Sequence, residues 1–250
     1  MHDICAHPIT VHPSPERLAE AVAERWIALC QDALALRDSF HVALSGGSTP
    51  RQLYRRLARP DCAARIDWSR VRLYFGDERA VPPSHADSNY RMVQESLLAH
   101  IDIPAANVLP MSADPARIEA DAADYAARLR AQLPADAHGA PQFDLILLGL
   151  GSDGHTCSLF PHTAILAERA RPVAAVHVTP LDSWRLSLTY PVLDAARQLV
   201  FLVAGADKAA MLQQICRPSG QLSPVPVQGI RPRGAVEWHL DPAAAAGLAA

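Results

Sequence analysis

The sequence has little lysine, no paired cysteines and no long apolar run. Lys208 is the single lysine among its 23 basic residues. The five cysteines are widely spaced and form no CxxC pair, which argues against a disulfide framework and against a structural zinc site. No apolar run approaches the roughly 18 residues of a membrane-spanning helix, and the first residues lack the basic end and apolar stretch of a signal peptide. We therefore expect a cytoplasmic protein.

The chain also lacks an excess of positive charge. The formal net charge of its 250 residues is −3, which argues against a protein that binds nucleic acid or a membrane surface. Half of the residues are apolar and 20% are charged, so the chain can build a sizeable core. Because it contains no internal repeat or low-complexity block, residues 1–250 are predicted to form a single α/β domain.

Short apolar runs alternate with amphipathic segments along the chain. The runs lack polar alternation, which is typical of strands buried on both faces of a parallel sheet. We therefore predict an α/β, Rossmann-like fold with an open, mostly parallel sheet and helices on both faces. Ligands of such sheets bind beyond the carboxyl ends of the strands. The predicted strands are 40–44, 71–75, 143–148, 172–178, 185–189, 199–203 and 235–240, and the predicted helices are 16–37, 50–57, 89–98, 115–133, 191–197 and 208–216.

The turn after the third predicted strand carries the most polar chemistry. Glycines surround Asp153 and His155 in this turn, and Thr156 and Ser158 follow. A carboxylate two residues from an imidazole fits an acid–base site at the edge of the sheet. It also fits an ordinary glycine-rich turn with a capping aspartate and a surface histidine. The neighbouring turns favour the first interpretation.

Two further turns predict an anion site at the same edge. The first predicted strand runs into Gly46, Gly47, Ser48 and Thr49, directly before a helix. Backbone N–H groups and the positive end of that helix would face the turn, and the hydroxyls add donors. Lys208 begins a helix after the sixth predicted strand, where a lysine is unfavourable for the helix dipole unless an anion is bound.

The second predicted strand is followed by three adjacent charges. Asp77, Glu78 and Arg79 come directly after Gly76. Such a run is usually a solvated loop, but its place at the edge where the other turns lie favours a functional role. The long, proline-containing loop that leads to Asn89 is predicted to fold over the site as a semi-rigid flap.

Four stretches of the chain together resemble the 6-phosphogluconolactonase family. They are LSGGSTP, YFGDERAVPPSHADSNY, LILLGLGSDGHTCSLFP and RLSLTYPVL, and they span Leu44 to Leu193, with a weaker match in the GADK turn. The resemblance implies a carboxylic ester hydrolase that converts 6-phospho-D-glucono-1,5-lactone to 6-phosphogluconate in the oxidative branch of the pentose phosphate pathway. It implies no cofactor and no metal.

The resemblance also implies roles for the polar residues of the turns. His155 would be the base that deprotonates the attacking water, and Asp153 would orient its ring, although Asp77 or Asp87 also fits that role. Arg79 would stabilise the developing oxyanion or hold substrate hydroxyls.

The implied ligand is a small phosphorylated sugar lactone. Its phosphate would lie on Gly46–Thr49, with Arg185 and Lys208 supplying positive charge, and Asp77 is included among the substrate-binding residues. We expect no nucleic-acid or membrane partner, and a monomer or a weak homodimer.

Two alternatives remain. Glucosamine-6-phosphate deaminases share the fold, but relatives of that type carry a glutamate five residues after the histidine, where this chain has Phe160. They also carry DEY where this chain has Asp77, Glu78 and Arg79. The second alternative is a non-catalytic sugar-phosphate sensor, which would need the phosphate turn and Lys208 but neither the imidazole nor the carboxylates.

Overall fold

A computed structural model gives the fold of residues 6–216 and 225–248. The strands are β1 Ile9–Val11, β2 Phe40–Leu44, β3 Val71–Phe75, β4 Asp77–Arg79, β5 Leu145–Leu148, β6 Val173–Val178, β7 Ser183–Leu188, β8 Gln198–Val203 and β9 Ala235–Leu240. The helices are α1 Pro15–Leu36, α2 Ser48–Leu57, α3 Pro60–Ala63, α4 Asn89–Ser96, α5 Ile118–Gln132, α6 Tyr190–Ala195, α7 Ala209–Ile215 and α8 Pro242–Ala245.

The main sheet has six parallel strands in the order β1-β9-β8-β5-β2-β3. Helices cover both of its faces, so the predicted Rossmann-like α/β class is confirmed. The chain runs outward from β2 to β3 and then returns to place β5 on the other side of β2. This reversal opens a crevice between the carboxyl ends of β2 and β5, where ligands of such sheets bind.

Helix boundaries follow from local sequence signals. Ser14 precedes α1, and its hydroxyl accepts a hydrogen bond from the backbone N–H of Arg17, while Pro15 occupies the first helical position. Ser88 caps α4 in the same way and accepts from the N–H of Arg91. Both helices were predicted, and α4 ends two residues earlier than expected.

The segment Asp77–Arg79 differs from the prediction of a loop. It forms the edge of a second, antiparallel sheet of three strands in the order β4-β7-β6. Asp77 lies opposite Ser187, and Arg79 lies opposite Arg185. A charged tripeptide becomes a strand here because β7, from a distant part of the chain, provides the backbone partners that the local sequence does not reveal.

Other differences are smaller. The edge strand β1 was missed, because it is three residues long and partly exposed. Helix α2 begins at Ser48 rather than at position 50, and α7 begins at Ala209 after a short 3-10 turn, Ala206–Lys208. The segment 219–232 is rich in proline and glycine, which predicts a loop, and it lies partly outside the described residues. Within the described part of the chain, no helix is both long and apolar enough to cross a membrane.

Candidate active site

A cavity of about 290 Å³ lies at the carboxyl edge of the main sheet, over the crevice between β2 and β5. The second sheet forms its opposite wall. Nine of the ten predicted site residues line this cavity: Gly46, Gly47, Ser48, Thr49, Asp77, Arg79, His155, Arg185 and Lys208. The tenth, Asp153, contacts His155 from the side.

His155 and Asp153 form a hydrogen-bonded pair in the turn after β5. The Nδ1 atom of His155 lies 2.5 Å from Oδ1 of Asp153, and the backbone N–H of His155 donates to the same oxygen at 3.1 Å. Gly151 makes the pair possible, because a Cβ at this position would lie 2.0 Å from His155 Nδ1. An ionised Asp153 requires the proton on Nδ1, so the lone pair of Nε2 is left free to accept a proton.

The pKa of Asp153 reflects this contact. Partial burial raises the pKa, but the hydrogen bond and the charge of His155 outweigh it and leave the pKa below its ordinary value. Asp153 is therefore a carboxylate that fixes the ring. The other candidates for this role are engaged elsewhere: Asp77 accepts from Ser158, and Asp87 lies 3.7 Å from His85 Nδ1.

An aromatic ring supports the imidazole. The ring of Phe160 stacks on His155 with centroids 4.0 Å apart and an angle of 24° between the planes. The guanidinium carbon of Arg185 lies 5.2 Å from the centroid of the same Phe160 ring. A phenyl ring can orient both groups, but it can neither donate nor accept a proton.

Arg79 and Arg185 form a cross-strand pair of like charge. They are directly opposite each other on β4 and β7 and both line the cavity. Nη1 of Arg79 donates to the carbonyl of Asp87 at 2.7 Å, which fastens the loop that leads to α4. Within the described part of the chain, the buried Nε atoms of both arginines lack hydrogen-bond partners. Burial, followed by the charge of Arg79, lowers the pKa of Arg185. This wall of the cavity is suited to an anion.

The turn at Gly46–Thr49 is held in place from behind. The hydroxyl of Tyr54 accepts from the backbone N–H of Ser45 at 3.0 Å and donates to its carbonyl at 2.8 Å. Gly47 precedes α2 with a φ of 105°, a conformation that favours glycine. The start of α2, which carries the positive end of the helix dipole, lines the cavity.

Lys208 follows the end of β8 and lines the same cavity as this turn. Its Nζ pairs with Oδ2 of Asp207 at 2.8 Å, and 23% of its side chain is exposed. A lysine at a helix start is unfavourable for the helix dipole unless an anion is bound. Asp207 already offsets part of its charge, so a ligand phosphate would share the ammonium group with this carboxylate.

Asp77 and Glu78 face opposite sides of β4. Asp77 points toward the cavity and is 6% exposed, and its Oδ2 accepts from the hydroxyl of Ser158 at 2.6 Å. Glu78 is turned away, and its carboxylate accepts from the backbone N–H groups of Asn89 and Tyr90 at 2.8 Å each. Burial raises the pKa of Glu78 in spite of these hydrogen bonds.

Sequence reasoning did not identify Asn89 and Ser158 as parts of the site. Both side chains are buried behind the cavity wall and hydrogen-bond to Asp77. Asn89 was noted only as the end of a loop. The adjacent residues Ser88 and Asn89 at the start of a helix indicate a helix cap and nothing more. Among the described residues, no group of three or more His, Cys, Asp or Glu side chains could hold a metal ion.

Comparison with known proteins shows which proteins this chain is similar to. A 6-phosphogluconolactonase of Synechocystis is 42% identical over 209 residues, which cover 84% of this chain and 85% of the relative. A 6-phosphogluconolactonase structure from Trypanosoma brucei superposes with a TM-score of 0.85 at 31% identity, covering 97% of this chain and 99% of that one.

A monomeric glucosamine-6-phosphate deaminase superposes with a TM-score of 0.79 at 17% identity and covers 96% of this chain and 99% of its own, which shows a shared fold. The sequence pattern of the family described as glucosamine-6-phosphate isomerases/6-phosphogluconolactonase matches residues 13–238. With most of its length covered by this pattern, and with relatives above 40% identity, the chain belongs to that family.

Proposed function

We propose that this protein hydrolyses 6-phospho-D-glucono-1,5-lactone to 6-phosphogluconate, with His155 as the general base. One observation carries the proposal: an imidazole fixed by a carboxylate shares a single cavity with a helix start and with two arginines whose buried Nε atoms lack hydrogen-bond partners among the described residues. These groups match a neutral, activated ester at one end of a substrate and a phosphate at the other.

The first step is addition of water to the lactone. Nε2 of His155 takes a proton from a water molecule, whose oxygen attacks the carbonyl carbon of the ring. Asp153 holds the ring through Nδ1 and stabilises the imidazolium that forms. Phe160 limits rotation of the ring through its stacked contact.

The second step opens the lactone ring. Addition places a negative charge on the former carbonyl oxygen, and the guanidinium groups of Arg79 and Arg185 on the opposite wall stabilise it. We give Arg185 this role rather than the contact with the phosphate expected from the sequence, because its guanidinium lies over Phe160, the ring that stacks on His155. The tetrahedral centre then collapses, the bond to the ring oxygen breaks, and that oxygen takes the proton from His155. The carboxylic acid product ionises in water.

The 6-phosphate of the substrate would bind at the remaining wall of the cavity. The N–H groups at Gly46–Thr49 and the ammonium of Lys208 would bind the 6-phosphate, the turn by hydrogen bonds and the lysine by charge. Binding energy gained at this distant group positions the lactone carbonyl beside His155 and thereby contributes to the rate.

A deaminase function is not favoured by this site. The residue at the position where deaminase-type relatives carry a glutamate is Phe160, which packs on the imidazole. A site that moves protons on an amino sugar needs a further acid–base group, and the phenyl ring does not supply one.

The proposal is tested with freshly generated 6-phosphoglucono-1,5-lactone, because this lactone also hydrolyses without an enzyme. Release of acid should exceed the background rate in proportion to the protein concentration. Glucosamine-6-phosphate, supplied in parallel, should release no ammonia. Background-level hydrolysis of the lactone, or release of ammonia from the amino sugar, would contradict the proposal.

A further inference from the structure

Asn89 is the first residue of α4, and its side chain is almost fully buried, at 3% exposed. It does not line the cavity. It lies directly behind the wall, where β4, the turn after β2 and the start of α4 meet. Asparagine is rarely buried unless its amide makes specific hydrogen bonds, so the contacts of this side chain need an explanation.

The amide of Asn89 contacts Asp77 twice. Its Nδ2 donates to the backbone carbonyl of Asp77 at 2.9 Å and to Oδ1 of the same residue at 3.3 Å. The other carboxylate oxygen, Oδ2, accepts from the hydroxyl of Ser158 at 2.6 Å. Ser158 follows His155 by three residues, so one carboxylate links α4 to the turn that carries the base.

The same amide lies against the turn Gly46–Thr49, which is proposed to bind the phosphate. A Cβ at Gly46 would lie 2.1 Å from Oδ1, 2.6 Å from Cγ and 2.9 Å from Nδ2 of Asn89. These three atoms are the nearest to that position. The backbone at Gly46 therefore approaches Asn89 as closely as a glycine allows, and Asn89 limits how far the turn can move backward.

The position of Asn89 is itself fixed by Glu78. The backbone N–H groups of Asn89 and Tyr90 donate to the two carboxylate oxygens of Glu78, and the hydroxyl of Ser88 lies 3.2 Å from Oε2. A carboxylate at the first turn of a helix also favours the dipole. The start of α4 is thus fastened to β4 independently of the Asn89 side chain.

We propose that Asn89 is a positioning residue, which holds the carboxylate of Asp77 and the phosphate turn at Gly46 in a fixed relation to the turn of His155. The proposal rests on the lactonase function above, since its effects are measured on that reaction. Asn89 is not among the residues that line the cavity, and it acts through Asp77 and Gly46.

The variant Asn89→Ala removes the amide and keeps the backbone contacts with Glu78. We expect kcat to fall about tenfold or more, because the link from α4 through Asp77 and Ser158 to the turn of His155 is broken. KM should rise more for the phosphorylated lactone than for glucono-1,5-lactone, because the Gly46 turn is released. Asn89→Leu, which keeps approximately the size of the side chain and removes its N–H donors without adding a charge, should show the same loss of kcat without creating a large cavity.

Asn107 provides a matched control. It is also a buried asparagine, at 5% exposed, and its Nδ2 donates to the backbone carbonyls of Trp68 and Ser69, away from the cavity. Asn107→Ala removes comparable hydrogen bonds and should lower the melting temperature while the folded protein keeps the wild-type kcat and KM.

A second substitution tests the contact with Gly46 directly. Gly46→Ala in the wild-type chain forces a Cβ against the Asn89 amide and should raise KM for the phosphorylated lactone about tenfold. In the Asn89→Ala background these three nearest atoms are gone, so the same substitution should raise KM several-fold less than in the wild type.

The results separate the two proposals. If the wild-type protein does not hydrolyse the lactone, the proposed function is wrong. If the wild type is active, two results would overturn the role of Asn89: wild-type kcat and KM in both Asn89 variants, or an equal effect of Gly46→Ala in both backgrounds.

Discussion

Removal of the lone lysine is the perturbation that best tests how the cavity binds its anion. In Lys208→Ala the ammonium is lost, and the carboxylate of Asp207, which lies 2.8 Å from it, remains at the cavity. The hydrogen bond from Lys208 holds the pKa of Asp207 below its ordinary value of 3.8. The variant loses this hydrogen bond, but an aspartate with its ordinary pKa is still ionised at neutral pH. The variant therefore loses an attraction for phosphate and exposes a repulsion.

The two effects differ in size. A charge-assisted contact to phosphate contributes about 1.5–3 kcal/mol, or roughly ten- to a hundredfold in affinity. The Asp207 side chain is 65% exposed, so water screens its repulsion, which adds at most about fivefold. We expect KM for the phosphorylated lactone to rise about ten- to several-hundredfold and KM for glucono-1,5-lactone to change little.

The double variant Lys208→Ala, Asp207→Asn separates the contributions. It should recover the smaller, repulsive part and leave the larger loss in place. Steady-state kinetics with both lactones measure these effects, and competitive inhibition by inorganic phosphate should weaken in parallel. An equal rise of KM for both lactones would refute the reasoning, because Lys208 would then not contact the phosphate.

Two further predictions concern Arg79 and Glu168. Arg79→Lys keeps the charge but loses the planar guanidinium, whose Nη1 donates to the Asp87 carbonyl, so kcat/KM should fall about tenfold. An unchanged kcat/KM would show that Arg79 acts only as a general source of positive charge. Partial burial raises the pKa of Glu168, but hydrogen bonds from the N–H groups of Ala170 and Arg171 and from the Arg171 guanidinium outweigh this effect and lower the pKa to about 2. Because the folded-state pKa is depressed, this carboxylate stabilises the fold above its ordinary pKa near 4.5 and loses that effect as the pH falls toward 2. Denaturant titration should find Glu168→Gln about 1 kcal/mol less stable at pH 7, and a difference that persists unchanged near pH 2 would contradict the assignment.

The main sheet could be predicted because its strands carry their own signal. The segments Phe40–Leu44, Val71–Phe75 and Ala235–Leu240 were predicted with the bounds that the structure has. Continuous apolar runs followed by turns leave few alternatives to buried parallel strands. Since all carboxyl ends of such strands meet at one edge, the polar residues after them were also expected in one place, and they line one cavity.

What the sequence did not reveal depends on the fold, in part through partners that are distant along the chain. The strand Asp77–Arg79 exists because β7 pairs with it, and Glu78 turns away from the cavity because α4 offers it N–H groups. Among three aspartates that fitted the role, the contact of Asp153 with His155 emerges only from the fold of the glycine turn. The order of residue types also did not predict that Lys208 pairs with its neighbour Asp207.

The central claim is that the imidazole of His155 activates water for attack on the lactone. The most direct measurement is single-turnover hydrolysis of 6-phosphoglucono-1,5-lactone by His155→Ala, with the uncatalysed rate subtracted and folding verified by the melting temperature. The account predicts a rate at least about a hundredfold below that of the wild type, with inhibition by inorganic phosphate unchanged. The rate of the wild type should also fall as the pH is lowered, because a protonated imidazole cannot accept a proton. Turnover by His155→Ala at the wild-type rate would contradict the account.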